Sequence, residues 1–180
     1  MSYYICKYIC FSADTKATQK LENGDIRSVD VENIRVGDAI ETLNISNLAE
    51  KKFTKVLVAN EFQGNFDFYK FQFENSGDVV EVTPKHLMIC SYEKDGKVND
   101  HRLKYAMDVK PDDKMLINGK ASSISKIEKF QGLKKFDIKT ESGTLLVGNV
   151  FVTGICDITD DMKTKINNES LVDFFENLNN

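Results

Sequence analysis

Four cysteines and two histidines are the residues of this 180-residue chain best suited to nucleophilic chemistry. Cys10 opens the first patterned segment, Cys10-Phe-Ser-Ala-Asp-Thr15, and His86 closes Val82-Thr-Pro-Lys-His86 between two strand-like runs. A thiolate can attack a carbonyl carbon while an imidazole moves the protons. Thr83 and His86 are separated by a turn that Pro84 helps to fix. On spacing alone, a histidine beside a strand reads more simply as a structural residue.

Metal binding is the competing chemistry. Cys6-x3-Cys10 and His86-x3-Cys90 supply four soft ligands in two pairs, the makings of a Cys3His zinc set. Residues four apart in a strand stand about 13 Å apart, so each pair would need a tight turn, and neither intervening segment carries a turn signal. No metal and no cofactor are expected. Cys6 and Cys90 read as small packing residues, and His101, in a charged stretch, as exposed. A papain-like arrangement is disfavoured because its cysteine opens a helix, whereas Cys10 precedes a strand-like run.

Composition narrows the partners. Hydrophobic residues make up 41% and charged residues 29%, as in a soluble globular protein with a real core. The formal charge of −4 and the lysine doublets Lys51-Lys52 and Lys134-Lys135 are too little for a phosphate-binding surface, so nucleic acid is not expected. No apolar run approaches the roughly 20 residues that span a bilayer, and no membrane partner is expected. The opening residues lack a signal-peptide pattern, which leaves the compartment open. A monomer is expected.

The elements that must position Cys10 and His86 are overwhelmingly β. Strands are predicted at 16–21, 39–42, 54–61, 68–73, 79–82, 87–92, 114–117, 123–130, 136–140, 144–147 and 150–153. Turn pairs punctuate them at Asn23-Gly24, Ser76-Gly77, Asp95-Gly96, Asn118-Gly119 and Ser142-Gly143. Only the C-terminus reads as helix: Leu171, Phe174, Phe175 and Leu178 share one face, with Asn167 or Asn168 as the cap. An internal repeat runs through the body. Phe-Gln-Gly occurs at 62–64 and 130–132, and Ser-Gly at 76–77 and 142–143. Cys90 and Cys156 stand 66 residues apart, as do Gly77 and Gly143. Two copies of one β unit related by a pseudo-twofold axis would bury together the apolar faces that each exposes alone.

Several ordered blocks of this sequence resemble the Hint domains of hedgehog C-terminal regions and inteins. Cys10-Phe-Ser-Ala-Asp-Thr15 with Ile34-Arg-Val-Gly-Asp38 is similar to the family's opening block. Val82-Thr-Pro-Lys-His86-Leu87 is similar to its T-x-x-H block. Val109-Lys-Pro-Asp-Asp113-Lys-Met-Leu116 resembles a later hedgehog-type block, although Asp112 stands where glycine is usual. Phe136-Asp-Ile-Lys-Thr140 and Gly143-Thr-Leu-Leu-Val147 resemble the closing blocks. The resemblance implies an all-β, pseudo-twofold horseshoe of many short strands over residues 10–156. An upstream segment, 1–9, precedes it, and a connector with a short C-terminal α-helix, 157–180, follows.

The resemblance also implies a chemistry. Cys10 would attack the carbonyl of Ile9 and turn the Ile9–Cys10 amide into a thioester. His86 would protonate the departing nitrogen, Thr83 would hold the strained peptide, and Asp137 would tune Cys10 or place a second nucleophile. The substrate would be the chain's own upstream polypeptide, and the acceptor a small nucleophile: water, a thiol or an amine. Only nine residues precede Cys10, which predicts a longer natural upstream segment, and the β-branched Ile9 should slow attack. Inteins end in His-Asn before a nucleophile, where this chain reads Val152-Thr-Gly154-Ile155, so cleavage without splicing is expected. Hedgehog domains place an aspartate where this chain has Asn60 and Glu61. Glu61 could serve as that base only with a one-residue shift, so sterol transfer is not expected. Cys156 lies about two residues beyond the hedgehog-type terminal cysteine and would be a thioester acceptor or a redox partner of Cys10. The alternative is a Hint-fold binding module that no longer cuts, with an intact Ile9–Cys10 bond.

Overall fold

A computed structural model describes residues 9–94, 97–155 and 170–178. Eleven strands form one continuous hydrogen-bonded system. They are β1 (Lys16–Lys20), β2 (Ile26–Asp30), β3 (Ala39–Asn44), β4 (Asn47–Phe73), β5 (Val79–Val82), β6 (Leu87–Lys94), β7 (Lys97–Tyr105), β8 (Lys114–Ile117), β9 (Lys120–Thr140), β10 (Thr144–Val147) and β11 (Val150–Thr153). One helix, α1 (Leu171–Leu178), follows. No helix among the described residues is long and apolar enough to cross a membrane.

The spine is the antiparallel pair of β4 and β9, registered from Val56 opposite Thr140 to Phe73 opposite Ile124. Strands 54–61 and 68–73 of the sequence reading are one strand, as are 123–130 and 136–140. Glycine allows the fusion. A Cβ on Gly132 would stand 2.9 Å from the Phe68 ring, so only a hydrogen lets β9 run past that side chain. The order of a hairpin, a long strand and two short strands occurs twice, as β3–β4–β5–β6 and β8–β9–β10–β11. This is the duplication that the Phe-Gln-Gly and Ser-Gly repeats announce.

Pairing closes on itself. The path β10–β1–β3–β4–β9–β8–β11 returns through the β11–β10 pair, which removes open strand edges from the central body. Two-residue turns set the register of two hairpins. Asn118-Gly119 joins β8 to β9 and Gly148-Asn149 joins β10 to β11, all four residues with positive φ, as such turns require.

Apolar residues fill two clusters. The larger includes Phe11, Phe71, Val82, Met88 and Phe136; the smaller includes Leu43, Ile89, Phe151 and Ile155. Helix α1 caps the smaller one with Leu171, Phe174 and Phe175, each burial contributing about 1.5–3 kcal/mol. The helix is capped by Ser170, whose Oγ accepts the Asp173 N–H at 3.1 Å. That corrects the expected cap at Asn167 or Asn168, which lie outside the described residues, as do Cys6, Cys156 and the Asp95-Gly96 turn.

Candidate active site

Residues 10–12 run as a short extended segment between β5 and β9. Phe11 bridges Val82 on one side and Phe136 on the other. Phe11 and Phe136 exchange two backbone hydrogen bonds, at 2.8 and 2.9 Å. The adjoining pair in that antiparallel register is Cys10 with Asp137, a narrow pair whose Cα atoms stand about 4.5 Å apart with side chains on one face. The register to β5 likewise sets Thr83 beside Cys10. The segment therefore collects residues remote in sequence into one row, Thr83–Cys10–Asp137, and β4 extends it with Asn60 opposite Asp137.

The row is tied at the backbone of Cys10. The Thr83 N–H donates to the Cys10 carbonyl at 2.9 Å. The Cys10 N–H, which belongs to the Ile9–Cys10 amide, donates to Thr83 Oγ1 at 3.0 Å. The Thr83 hydroxyl in turn points to the Cys10 carbonyl at 3.3 Å. One threonine thus holds both ends of the residue. The turn that presents it is braced from below: the His86 N–H bonds the Thr83 carbonyl at 3.0 Å, and Ala106 and Met107 donate to the His86 and Pro84 carbonyls.

His86 lies against the same segment. Its ring centroid is 4.6 Å from that of Phe11, and its Nε2 is 2.9 Å from the Thr153 carbonyl. A carbonyl can only accept, so Nε2 carries the proton and Nδ1 is the bare nitrogen of a neutral ring. Nδ1 is buried with no hydrogen-bond partner among the described residues. Burial pushes the pKa of His86 down to about 4. The Thr153 and Cys10 backbones pull the other way, the latter without an aligned bond to Nδ1. At neutral pH the buried ring is therefore neutral. Cys10 and His86 are fully buried, and Thr83 and Asp137 nearly so.

Of the residues singled out in the sequence, Cys10, Thr83, His86 and Asp137 come together. Glu61 does not. It pairs with Phe136, one residue off the row, and its exposed carboxylate is bound to Lys134 at 3.0 Å, which holds it below the usual carboxylate range. Asn60, which has no basic group, occupies the place in the row. His86 and Cys90 lie four residues apart along an extended segment, about 13 Å, and so cannot share one ion. Cys90 instead packs in the larger cluster, where burial pushes its thiol up to about 12. His101 is half-buried rather than exposed, with Nδ1 3.0 Å from Ser91 Oγ.

The sequence reading missed Thr153, whose role is played by a backbone carbonyl, and Phe11, whose ring packs on the imidazole. It also missed the close packing at Gly154. A Cβ there would meet Leu145 Cδ2 at 2.7 Å and the Ile138 carbonyl at 3.3 Å.

Comparison with known proteins agrees with this architecture. A search of curated proteins finds no significant match. Among solved structures, a bacterial intein-like domain from Clostridium thermocellum superposes with a TM-score of 0.61 at 21% identity, covering 82% of this chain and 99% of the other. A DnaB intein from Synechocystis sp. PCC 6803 gives 0.63 at 14% identity, covering 83% and 99%. An intein from a hyperthermophile gives 0.65 at 16% identity, covering 80% and 98%. At these identities the likeness concerns the fold. A family profile described as the Hint module matches residues 2–163, and with it the chain belongs to the Hint family of autoprocessing domains.

Proposed function

We propose that this domain cuts its own chain at the Ile9–Cys10 bond, with Cys10 as nucleophile, and does not splice. The observation that carries the reading is the state of His86: neutral, tautomerically fixed, and with a bare buried Nδ1 beside the Cys10 backbone. Such a ring can take the thiol proton and return it to nitrogen.

The Cys10 thiol gives its proton to His86, and Sγ adds to the Ile9 carbonyl carbon. The tetrahedral adduct collapses as His86 returns that proton to the Cys10 nitrogen, and the C–N bond breaks. The products are a thioester between Ile9 and Sγ and a free amine on Cys10. Thr83 would guide the nitrogen, a role supported by its hydroxyl accepting the N–H of that amide. Asp137, opposite Cys10 in the register, would set the thiol's field and its rotamer. A water, thiol or amine then attacks the acyl carbon, the C–S bond breaks and the thiol is restored. Holding sulfur and carbonyl in one frame can lower the barrier by about 7–11 kcal/mol when the approach is well aligned.

Splicing would need a side-chain amide near 154. Gly154 has none, and its surroundings admit no Cβ without movement. The test is a soluble reporter fused upstream of Cys10, incubated with dithiothreitol and followed by intact mass. Release of reporter ending at Ile9, abolished in Cys10→Ala and strongly slowed in His86→Ala, is expected. Equal release from Cys10→Ala would end the proposal.

A further inference from the structure

Thr83 is not the only residue beside β5 that grips the segment carrying Cys10. Two positions earlier, the Glu81 carbonyl accepts the Ser12 N–H at 3.1 Å, and the Glu81 carboxylate accepts the Ser12 hydroxyl at 2.5 Å. Side chains two apart in extended chain share a face, so Ser12 follows Cys10 and Glu81 precedes Thr83 in the same row. A hydroxyl–carboxylate hydrogen bond is about twice as strong as one between neutral groups. The carboxylate is held at its other oxygen too, with Lys70 Nζ 3.5 Å from Oε1. Thr15 closes the far end of the segment: its N–H reaches the Ser12 carbonyl at 3.4 Å and its hydroxyl the Glu81 carbonyl at 3.3 Å. Ser12, Thr15 and Glu81 are all buried. A buried carboxylate beside the nucleophile is an uncommon investment, and none of the steps above uses it.

We propose that Glu81, acting through Ser12, is a positioning residue of the acyl shift. The inference rests on the thioester reading above and adds what keeps the sulfur in line. As the Ile9–Cys10 bond breaks, the Cys10 nitrogen changes from planar amide to amine, and its contact with Thr83 Oγ1 must be remade. No bond changes at Ser12. The Ser12–Glu81 pair therefore holds the end of the segment that the reaction leaves alone, and the short extended run from Ser12 back to Cys10 carries that alignment to Sγ. A misplacement of about 1 Å can cost about a hundredfold in rate. The pair grips the segment alike before and after the shift. Glu81 thus acts on the barrier between amide and thioester and not on their balance.

The probe is the upstream reporter fusion, cleaved over a wide range of dithiothreitol concentration. At high thiol the rate reaches a plateau set by thioester formation. At low thiol its slope is set by the amide–thioester balance and the thiol's attack. Glu81→Ala should lower the plateau about tenfold and leave the slope unchanged. Ser12→Ala should do the same, and the double variant should lose no more than either single one. Glu81→Gln, whose side-chain oxygen can still accept from Ser12, should recover most of the plateau. A role in stability alone would lower plateau and slope in equal proportion, by the fraction of protein unfolded. That outcome, or an unchanged plateau in Glu81→Ala, overturns this inference and leaves the thioester reading standing. Should Glu81→Ala fail to fold, Ser12→Ala carries the same two outcomes. No Cys10-dependent cleavage of the parent fusion overturns both.

Discussion

Protonation of His86 on acidification should weaken the fold by an amount that its burial sets. The unfolded ring titrates near 6.5 and the buried ring near 4. Between those values the unfolded chain binds more protons, so stability falls as pH drops through that window and levels off below it. At about pH 4.5 the unfolded ring is almost fully charged and the folded ring mostly neutral, which costs roughly 2–3 kcal/mol relative to pH 7. The assay is urea unfolding at both pH values in a Cys10→Ala background, which keeps the chain intact, with and without His86→Gln. Carboxylates titrate alike in the two proteins and cancel in the difference. The histidine-containing protein should lose roughly 2–3 kcal/mol more on acidification. A difference under about 1 kcal/mol would mean that His86 is not the buried neutral ring described, and the proton route through Nδ1 would go with it.

Other perturbations separate the parts of the site. Thr83→Ala removes the acceptor of the Cys10 N–H and should slow thioester formation about ten- to a hundredfold, as thiol-induced cleavage rates would show, with Thr83→Ser recovering most of the loss. Phe11→Ala empties a fully buried position against the imidazole and should cost about 3–5 kcal/mol in urea unfolding. Gly154→Asn should destabilise the domain and yield no downstream cleavage by mass spectrometry, because its Cβ meets Leu145 and the Ile138 carbonyl; efficient cleavage after residue 154 would refute that packing. Phe175→Ala should lower stability by about 3–5 kcal/mol if α1 closes the smaller cluster, and leave the cleavage rate of folded protein unchanged.

The parts of this molecule legible in the sequence are those encoded by local chemistry. Asn118-Gly119 marks a hairpin because both residues tolerate positive φ, and the structure places a two-residue turn there. Thr83-Pro84-Lys85-His86 reads as a turn, and it is one. What the sequence hides is non-local. Gly64 and Gly132 look like breaks, yet they lie inside β4 and β9, where the partner strand and a ring such as Phe68 decide. Strand β2 escaped notice because Val29 is its only buried residue, and the polar strand β7 because pairing to β6, rather than alternation, defines it. In the site, His86 and Cys10 announce themselves by type. The Thr153 carbonyl leaves no mark, since any residue there offers one.

The central claim is an acyl group moved from nitrogen to sulfur at Cys10, and hydroxylamine tests it most directly by capturing that acyl group. Fusion protein treated with hydroxylamine at neutral pH and sequenced by tandem mass spectrometry should carry a hydroxamate on Ile9 and a free amine on Cys10. Absence of the hydroxamate from the folded protein, or its appearance at Ile9 in Cys10→Ala as well, would contradict the account.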